Sequence, residues 1–222
     1  MAAGVMLLES SVSMVAPHQD PSSPLFLVNR SYRVSSRYVP ALRETQVPGQ
    51  VRRLTPEAAT AMEELFHACL EETGITLISV SGYREYDKQD RIYRRKLKSV
   101  KGDQEAADAY VALPGSSEHQ TGLSMDIGQR DSKTALGEEF GTTAGGIWVR
   151  DNCWRFGFVI RYDLGWEDIT GYAYEPWHLR FVGKENAEKL HDNLMPLEEF
   201  LVLERTQILL ELMVPWTDGE KV

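Results

Sequence analysis

Two short segments constrain this chain more than any others: Ser116-Ser117-Glu118-His119-Gln120-Thr121-Gly122-Leu123-Ser124-Met125-Asp126, and later Glu175-Pro176-Trp177-His178. They supply two imidazoles and two carboxylates that serve a common purpose only if the fold brings them to one point. Gly122 lets a turn fold back, and the apolar run from Leu123 to Ile127 reads as a strand entered from a loop, with His119 and Asp126 on one side. Tyr174 to Val182 reads as another strand, carrying Glu175, Trp177 and His178. Alternation then sets Trp177 on the face opposite its two neighbours, where packing is its default role and stacking on a substrate the alternative.

The residue types suit a metal. Catalytic zinc takes three protein ligands from His, Asp and Glu and keeps a position open for water. His119, Asp126 and His178 are the candidate ligands. Glu175, three residues before His178, can stand beside the ion without binding it and act as general base on the water it activates. His18, His67 and His191 have no partner at useful spacing.

Composition excludes several classes. The 222 residues suit one moderate domain with a real core, and 42% hydrophobic with 26% charged residues is ordinary globular usage, which excludes disorder throughout. Net charge is −9. The densest basic cluster, Arg91, Arg94, Arg95, Lys96 and Lys98, reads as a solvated helix face, so nucleic acid is excluded as a partner. Cys69 and Cys153 lie in amphipathic helical patterns and read as two buried free thiols rather than a disulfide. There is no transmembrane segment, since no run of ~20 apolar residues occurs. Residues 1 to 16 lack a basic n-region and are interrupted by Glu9, so no signal peptide is evident, and the sequence leaves cytoplasm and cell envelope both open.

In order along the chain, residues 1–24 read as a flexible arm. Thr55-Pro56-Glu57 starts a helix that buries Met62, Leu65, Phe66 and Cys69 and closes at Gly74. Ile75 to Ser81 is a strand, with Gly82-Tyr83-Arg84 at its far end. Arg84 offers a rigid fork of donors to a carboxylate or oxyanion, supported by Gln89; the alternative is a surface arginine paired with Glu85 or Asp87. Helices follow over Asp87–Lys98 and Glu105–Leu113. Ser116 and Ser117 form a turn or cap, or Ser117 touches substrate. A loop spans 129–146, a helix Ile147–Phe156 and a strand Phe158–Arg161, then helices Glu185–Asn193 and Pro196–Met213. This order fits an α+β domain, a small antiparallel sheet with helices packed on one side.

The runs Ser79-Val80-Ser81-Gly82-Tyr83-Arg84, Pro114 through Leu123, Trp154 through Tyr162, Ile169-Thr170-Gly171-Tyr172 and Tyr174-Glu175-Pro176-Trp177-His178-Leu179-Arg180-Phe181-Val182-Gly183, with Gln89 and Tyr93, resemble VanY-type D-alanyl-D-alanine carboxypeptidases. The likeness extends over roughly residues 25–203, with L,D-carboxypeptidases, VanX dipeptidases and the lysostaphin and hedgehog zinc fold as relatives. It implies a hedgehog-like domain over residues 25–203 that binds one zinc ion through His119, Asp126 and His178, with Glu175 as catalytic glutamate. Arg84, Gln89 and Ser117 would hold the terminal D-residue, and the substrates would be peptidoglycan stem peptides or muropeptides. Residues 204–222 form a helical extension beyond the usual family domain, covering it or mediating self-association. Ser124 stands where many relatives have Ala, and Asp163 where many have Pro, and neither change is expected to touch the chemistry. Two rivals remain: a cytoplasmic D,D-dipeptidase of the VanX/VanXY type, and a binding module that does not cut, against which retention of Glu175 argues.

Overall fold

Strand alternation decides which side of this protein is core and which is chemistry. The computed structural model describes residues 20–130 and 136–213; the expected arm up to residue 19, part of the expected 129–146 loop and the end of the C-terminal extension lie outside that range. Strands β1 (Arg43–Glu44) and β2 (Arg53–Leu54) form a short antiparallel pair. Helix α1 (Pro56–Thr73), strand β3 (Leu77–Ser81), α2 (Tyr86–Ser99) and the short α3 (Gln104–Asp108) follow. A 3-10 turn over Glu118–Thr121 leads into β4 (Ser124–Gln129). Then come α4 (Ala144–Asn152), β5 (Phe158–Ile160), α5 (Glu167–Thr170), β6 (His178–Phe181), α6 (Lys184–Asn193) and α7 (Leu197–Met213). The longer strands make one sheet in the order β3-β4-β6-β5, antiparallel throughout, which is the α+β architecture read from the sequence.

On one face of this sheet Met125, Ile127, Phe158, Ile160, Leu179 and Phe181 join Met62, Leu65, Phe66 and Cys69 of α1 in the main core. Each such large side chain contributes roughly 1.5–3 kcal/mol when fully buried. Helix α1 forms where its signals place it: Pro56 opens the first turn, and Gly74 closes the last in the left-handed conformation with its N–H on the Leu70 carbonyl. Thr55 occupies the N-cap position, but its side chain makes no capping hydrogen bond. Cys69 and Cys153 are buried and free, as read.

The alternate residues of β4 and β6 point the other way. The register sets Asp126 opposite His178 and Ser124 opposite Arg180, giving the second face a polar row. That row is buried too, because Arg180 reaches the carbonyls of Pro24 (3.0 Å) and Phe26 (2.7 Å) in the N-terminal segment that covers it.

Three boundaries differ from the sequence reading by about three residues or more. The strand expected from Tyr174 begins at His178; Pro176 has no N–H to give a ladder, and the chain turns there with the His178 N–H on the Glu175 carbonyl (3.0 Å). The second short helix stops at Asp108 rather than Leu113. The helix expected over Ile147–Phe156 starts at Ala144, where the Thr143 hydroxyl accepts from the Gly146 N–H (3.0 Å), and tightens into a 3-10 turn after Asn152. Gly146 looks like a loop residue, yet a Cβ there would stand 1.9 Å from the Phe140 carbonyl oxygen, so close backbone approach explains the glycine.

Candidate active site

Neighbouring strands bring Asp126 and His178 side by side, and a tight turn adds the third group. His119 lies in the Glu118–Thr121 turn, which ends at Gly122 in the left-handed conformation (φ 70°). Its Nδ1 sits 2.8 Å from the Gly82 carbonyl oxygen at the end of β3. A carbonyl only accepts, so Nδ1 carries the hydrogen and Nε2 faces Asp126, 3.2 Å from Oδ2. His178 Nδ1 is 2.9 Å from Asp126 Oδ1. One donor atom from each of these buried residues lies within 4.8 Å of the others. Ligand atoms around a tetrahedral zinc stand roughly 3–4 Å apart, so two imidazoles and a carboxylate in this arrangement fit a divalent metal after small rotations. Replacing His119 by Ala is expected to abolish both retained zinc and turnover; metal analysis after dialysis checks it, and a variant still holding zinc as the parent does would refute the ligand assignment.

The charges around the three groups are strongly coupled. Burial opposes ionisation of Asp126, but the adjoining His119 and His178 outweigh it and hold the carboxyl well below the usual range. Burial, aided by Arg84, pushes His119 down, which keeps its imidazole neutral. Burial works against charge on His178 as well, yet hydrogen bonds to Asp126 and Glu118 raise it to about 9. Without metal, His178 is therefore a cation clasped between two carboxylates, and an entering ion must displace its proton. Because this pKa is raised, the proton stays on at neutral pH and leaves only near pH 9. Zinc binding at neutral pH is expected to release about one proton, with affinity rising as pH increases. Calorimetry in buffers of different ionisation enthalpy reads this directly, and binding without proton release would contradict it.

The three groups open onto a cavity of about 520 Å³, also lined by Arg84, Gln89, Ser117, Glu175 and Trp177. The Glu175 backbone is held by its N–H on the Tyr162 carbonyl (2.9 Å). Burial pushes its carboxyl up to about 7, against the pull of His178. Arg84 pairs with neither Glu85 nor Asp87 among the described residues; its Nη2 donates to Ser117 Oγ (3.3 Å), and burial pulls its pKa down against the attraction of Asp126 and Glu175. Gln89 donates to the Ala112 carbonyl (2.6 Å), leaving Oε1 buried with no protein partner. Trp177 half-packs against the core while lining the cavity. His191 lies elsewhere, stacked on Trp154 at 4.8 Å, and His18 is outside the described residues.

Sequence reasoning missed a layer behind the ligands. Glu118 is fully buried, with its Oε2 3.2 Å from His178 Nε2. It also accepts from Arg161 Nε (2.9 Å), Arg180 Nη1 (2.8 Å) and the Ser124 hydroxyl (3.2 Å). Ser124 thus adds a hydrogen bond one step behind the metal group that an alanine would lack. The available signal was Arg180 itself: a cation inside Leu179-Arg180-Phe181-Val182 implies a buried anion. Tyr172 stands in one of the family-like segments, but nothing in the sequence assigns its hydroxyl a role. It lines the cavity with no protein partner, and burial pushes it up to about 12, keeping it a neutral donor.

Comparison with known proteins decides the family. The family model for VanY, D-alanyl-D-alanine carboxypeptidase, matches residues 51–184. The chain belongs to the VanY family. Among curated relatives, the putative carboxypeptidase YodJ of Bacillus subtilis (strain 168) is 46% identical over 191 residues, 82% of this chain and 68% of YodJ. Among solved structures, the LdcB LD-carboxypeptidase is 45% identical with a TM-score of 0.78, over 83% of this chain and 88% of LdcB. A vancomycin resistance D,D-pentapeptidase, VanY from a VanB-type cassette in complex with Zn(II), is 34% identical with a TM-score of 0.69, over 82% of this chain and 99% of that one. The protein is accordingly a peptidase of the VanY carboxypeptidase type.

Proposed function

We propose that this protein is a zinc-dependent carboxypeptidase that removes the C-terminal D-alanine from peptidoglycan stem peptides. The observation that carries the reading is the convergence, in one cavity, of the His119, Asp126 and His178 donor atoms with a Glu175 carboxyl raised to about 7. Zinc bound by those three residues would polarise the scissile carbonyl and lower the pKa of water. Glu175, close to neutral in proton affinity, takes the proton from the attacking water and returns it to the departing amine as the C–N bond breaks. Arg84 presents its fork to the terminal carboxylate of the peptide, steadied by Ser117. Gln89 and Trp177 form further contacts with the terminal residue. Residues 25–203 are the catalytic unit in this reading, with the boundary to the extension falling inside α7.

Within this activity the L,D-specificity is favoured over the D,D-specificity, because identity with LdcB is 45% and with the zinc-bound VanY 34%. The test incubates the protein with muropeptides bearing tetrapeptide or pentapeptide stems, with and without a chelator, and follows the products by mass spectrometry. Loss of one alanine from tetrapeptide stems, blocked by chelation and restored by zinc, is the expected result. Preferential trimming of pentapeptides would transfer the assignment to D,D-carboxypeptidase, release of alanine from free D-Ala-D-Ala alone would make it a dipeptidase, and binding without any product would leave a recognition module.

A further inference from the structure

Behind the ligand set runs a continuous chain of buried charge. His178 turns Nδ1 to Asp126 and Nε2 to Glu118 Oε2. Glu118 Oε1 takes Arg161 Nε at 2.9 Å and Arg180 Nη1 at 2.8 Å. Arg161 then grips Glu198 with both terminal nitrogens, Nη1 to Oε2 at 2.9 Å and Nη2 to Oε1. Glu198 stands in the first turn of α7, so the C-terminal helix is joined to the metal group through three consecutive charged side chains. A carboxylate facing the ring nitrogen turned away from the metal fixes the tautomer and orientation of a ligating histidine and makes it a better donor.

We propose that Glu118 is a positioning residue, holding His178 with its hydrogen on Nε2 and Nδ1 free for the metal, and that the Arg161–Glu198 pair extends this control to α7. The inference rests on the metal-site reading above, and it assigns a function to the C-terminal helix. Two cations on one Glu118 oxygen draw its charge away from His178; Glu198 takes up part of the Arg161 demand and leaves more of that charge for the imidazole. Glu198 lines neither the cavity nor the His119–Asp126–His178 group, so its effect on the metal passes through this chain.

The experiment measures zinc affinity by competition with a chromophoric chelator, in the intact chain, for the parent protein, Glu118→Gln combined with Arg180→Gln, and Glu198→Gln alone. The paired substitution removes one charge of each sign and so keeps the buried group neutral. With the fold checked by circular dichroism, it is expected to weaken zinc binding about 10–100-fold, and Glu198→Gln to weaken it in the same direction by less. Should the paired variant not fold, the tautomer is read in the zinc-loaded parent by two-dimensional 1H–15N spectroscopy of the imidazoles, where the His178 proton is expected on Nε2. A folded pair binding zinc like the parent, a His178 proton not on Nε2, or a Glu198 variant with unchanged affinity would each overturn the proposal. Failure of the parent itself to bind zinc would instead overturn the metal-site reading.

Discussion

Glu175→Gln is expected to lower kcat about 10²–10⁴-fold, the usual worth of a positioned general base, while leaving bound zinc unchanged. Glu175 lies in the turn before β6 and is absent from the cluster of metal donors, so the ligand set survives the substitution. The same variant is expected to gain stability. An acid whose folded pKa rises from 4.5 to about 7 is penalised for ionising in the folded state. The penalty is absent below the lower value, grows between the two and is complete above the higher. In chelator-treated protein at pH 8, Glu175→Gln should therefore be more stable by on the order of 2 kcal/mol, and at pH 4 the gain should vanish. Thermal unfolding at the two pH values, beside steady-state kinetics and zinc content of the loaded enzyme, tests all parts at once. Near-normal turnover would remove Glu175 from the role of base.

Arg180→Met is expected to cost about 3–5 kcal/mol of folding stability, because it removes one of the two guanidinium groups on buried Glu118 and leaves the cluster with an uncompensated negative charge. The guanidinium is completely buried and donates to Glu118, to the Phe181 carbonyl and to the carbonyls of Pro24 and Phe26. Methionine fills much of the volume and supplies none of those donors. Arg150→Met is the control: Arg150 pairs with Asp151 at the surface, where such pairs contribute about 0–1 kcal/mol. Urea unfolding of the two variants should separate them clearly, and a loss at position 180 no larger than at 150 would mean that Arg180 is not the anchor described.

The convergence of His119, Asp126 and His178 was legible because these residues are chemically conspicuous, and because strand period and glycine placement could be read locally around them. The core helix α1 was legible for the same reason, its apolar period running from Met62 to Cys69. What was not legible depends on partners distant in sequence. Nothing beside Glu118 announces that Arg161, Arg180 and Ser124 will surround it, since those contacts exist only once β4, β5 and β6 have paired. The strand boundary at His178 was misplaced because period-two alternation ran on through Pro176, whose missing N–H ends the ladder. The start of α4 was misplaced because Gly145 and Gly146 have poor helix propensity, and only packing, of Gly146 against the Phe140 backbone and of Gly145 against Gln129, Ile75 and Leu77, shows why those glycines are there.

The two buried arginines also set how short an autonomous folding unit can be. One clasps carbonyls at positions 24 and 26 and the other clasps the carboxylate at 198, so both ends of the domain are knotted into the same ionic cluster. A fragment trimmed to residues 51–184, the part that carries the family signature, would keep His119, Asp126 and His178 yet strip both guanidinium groups of outer partners. Such a piece would carry the chemistry of the enzyme without the clasps that hold it in register.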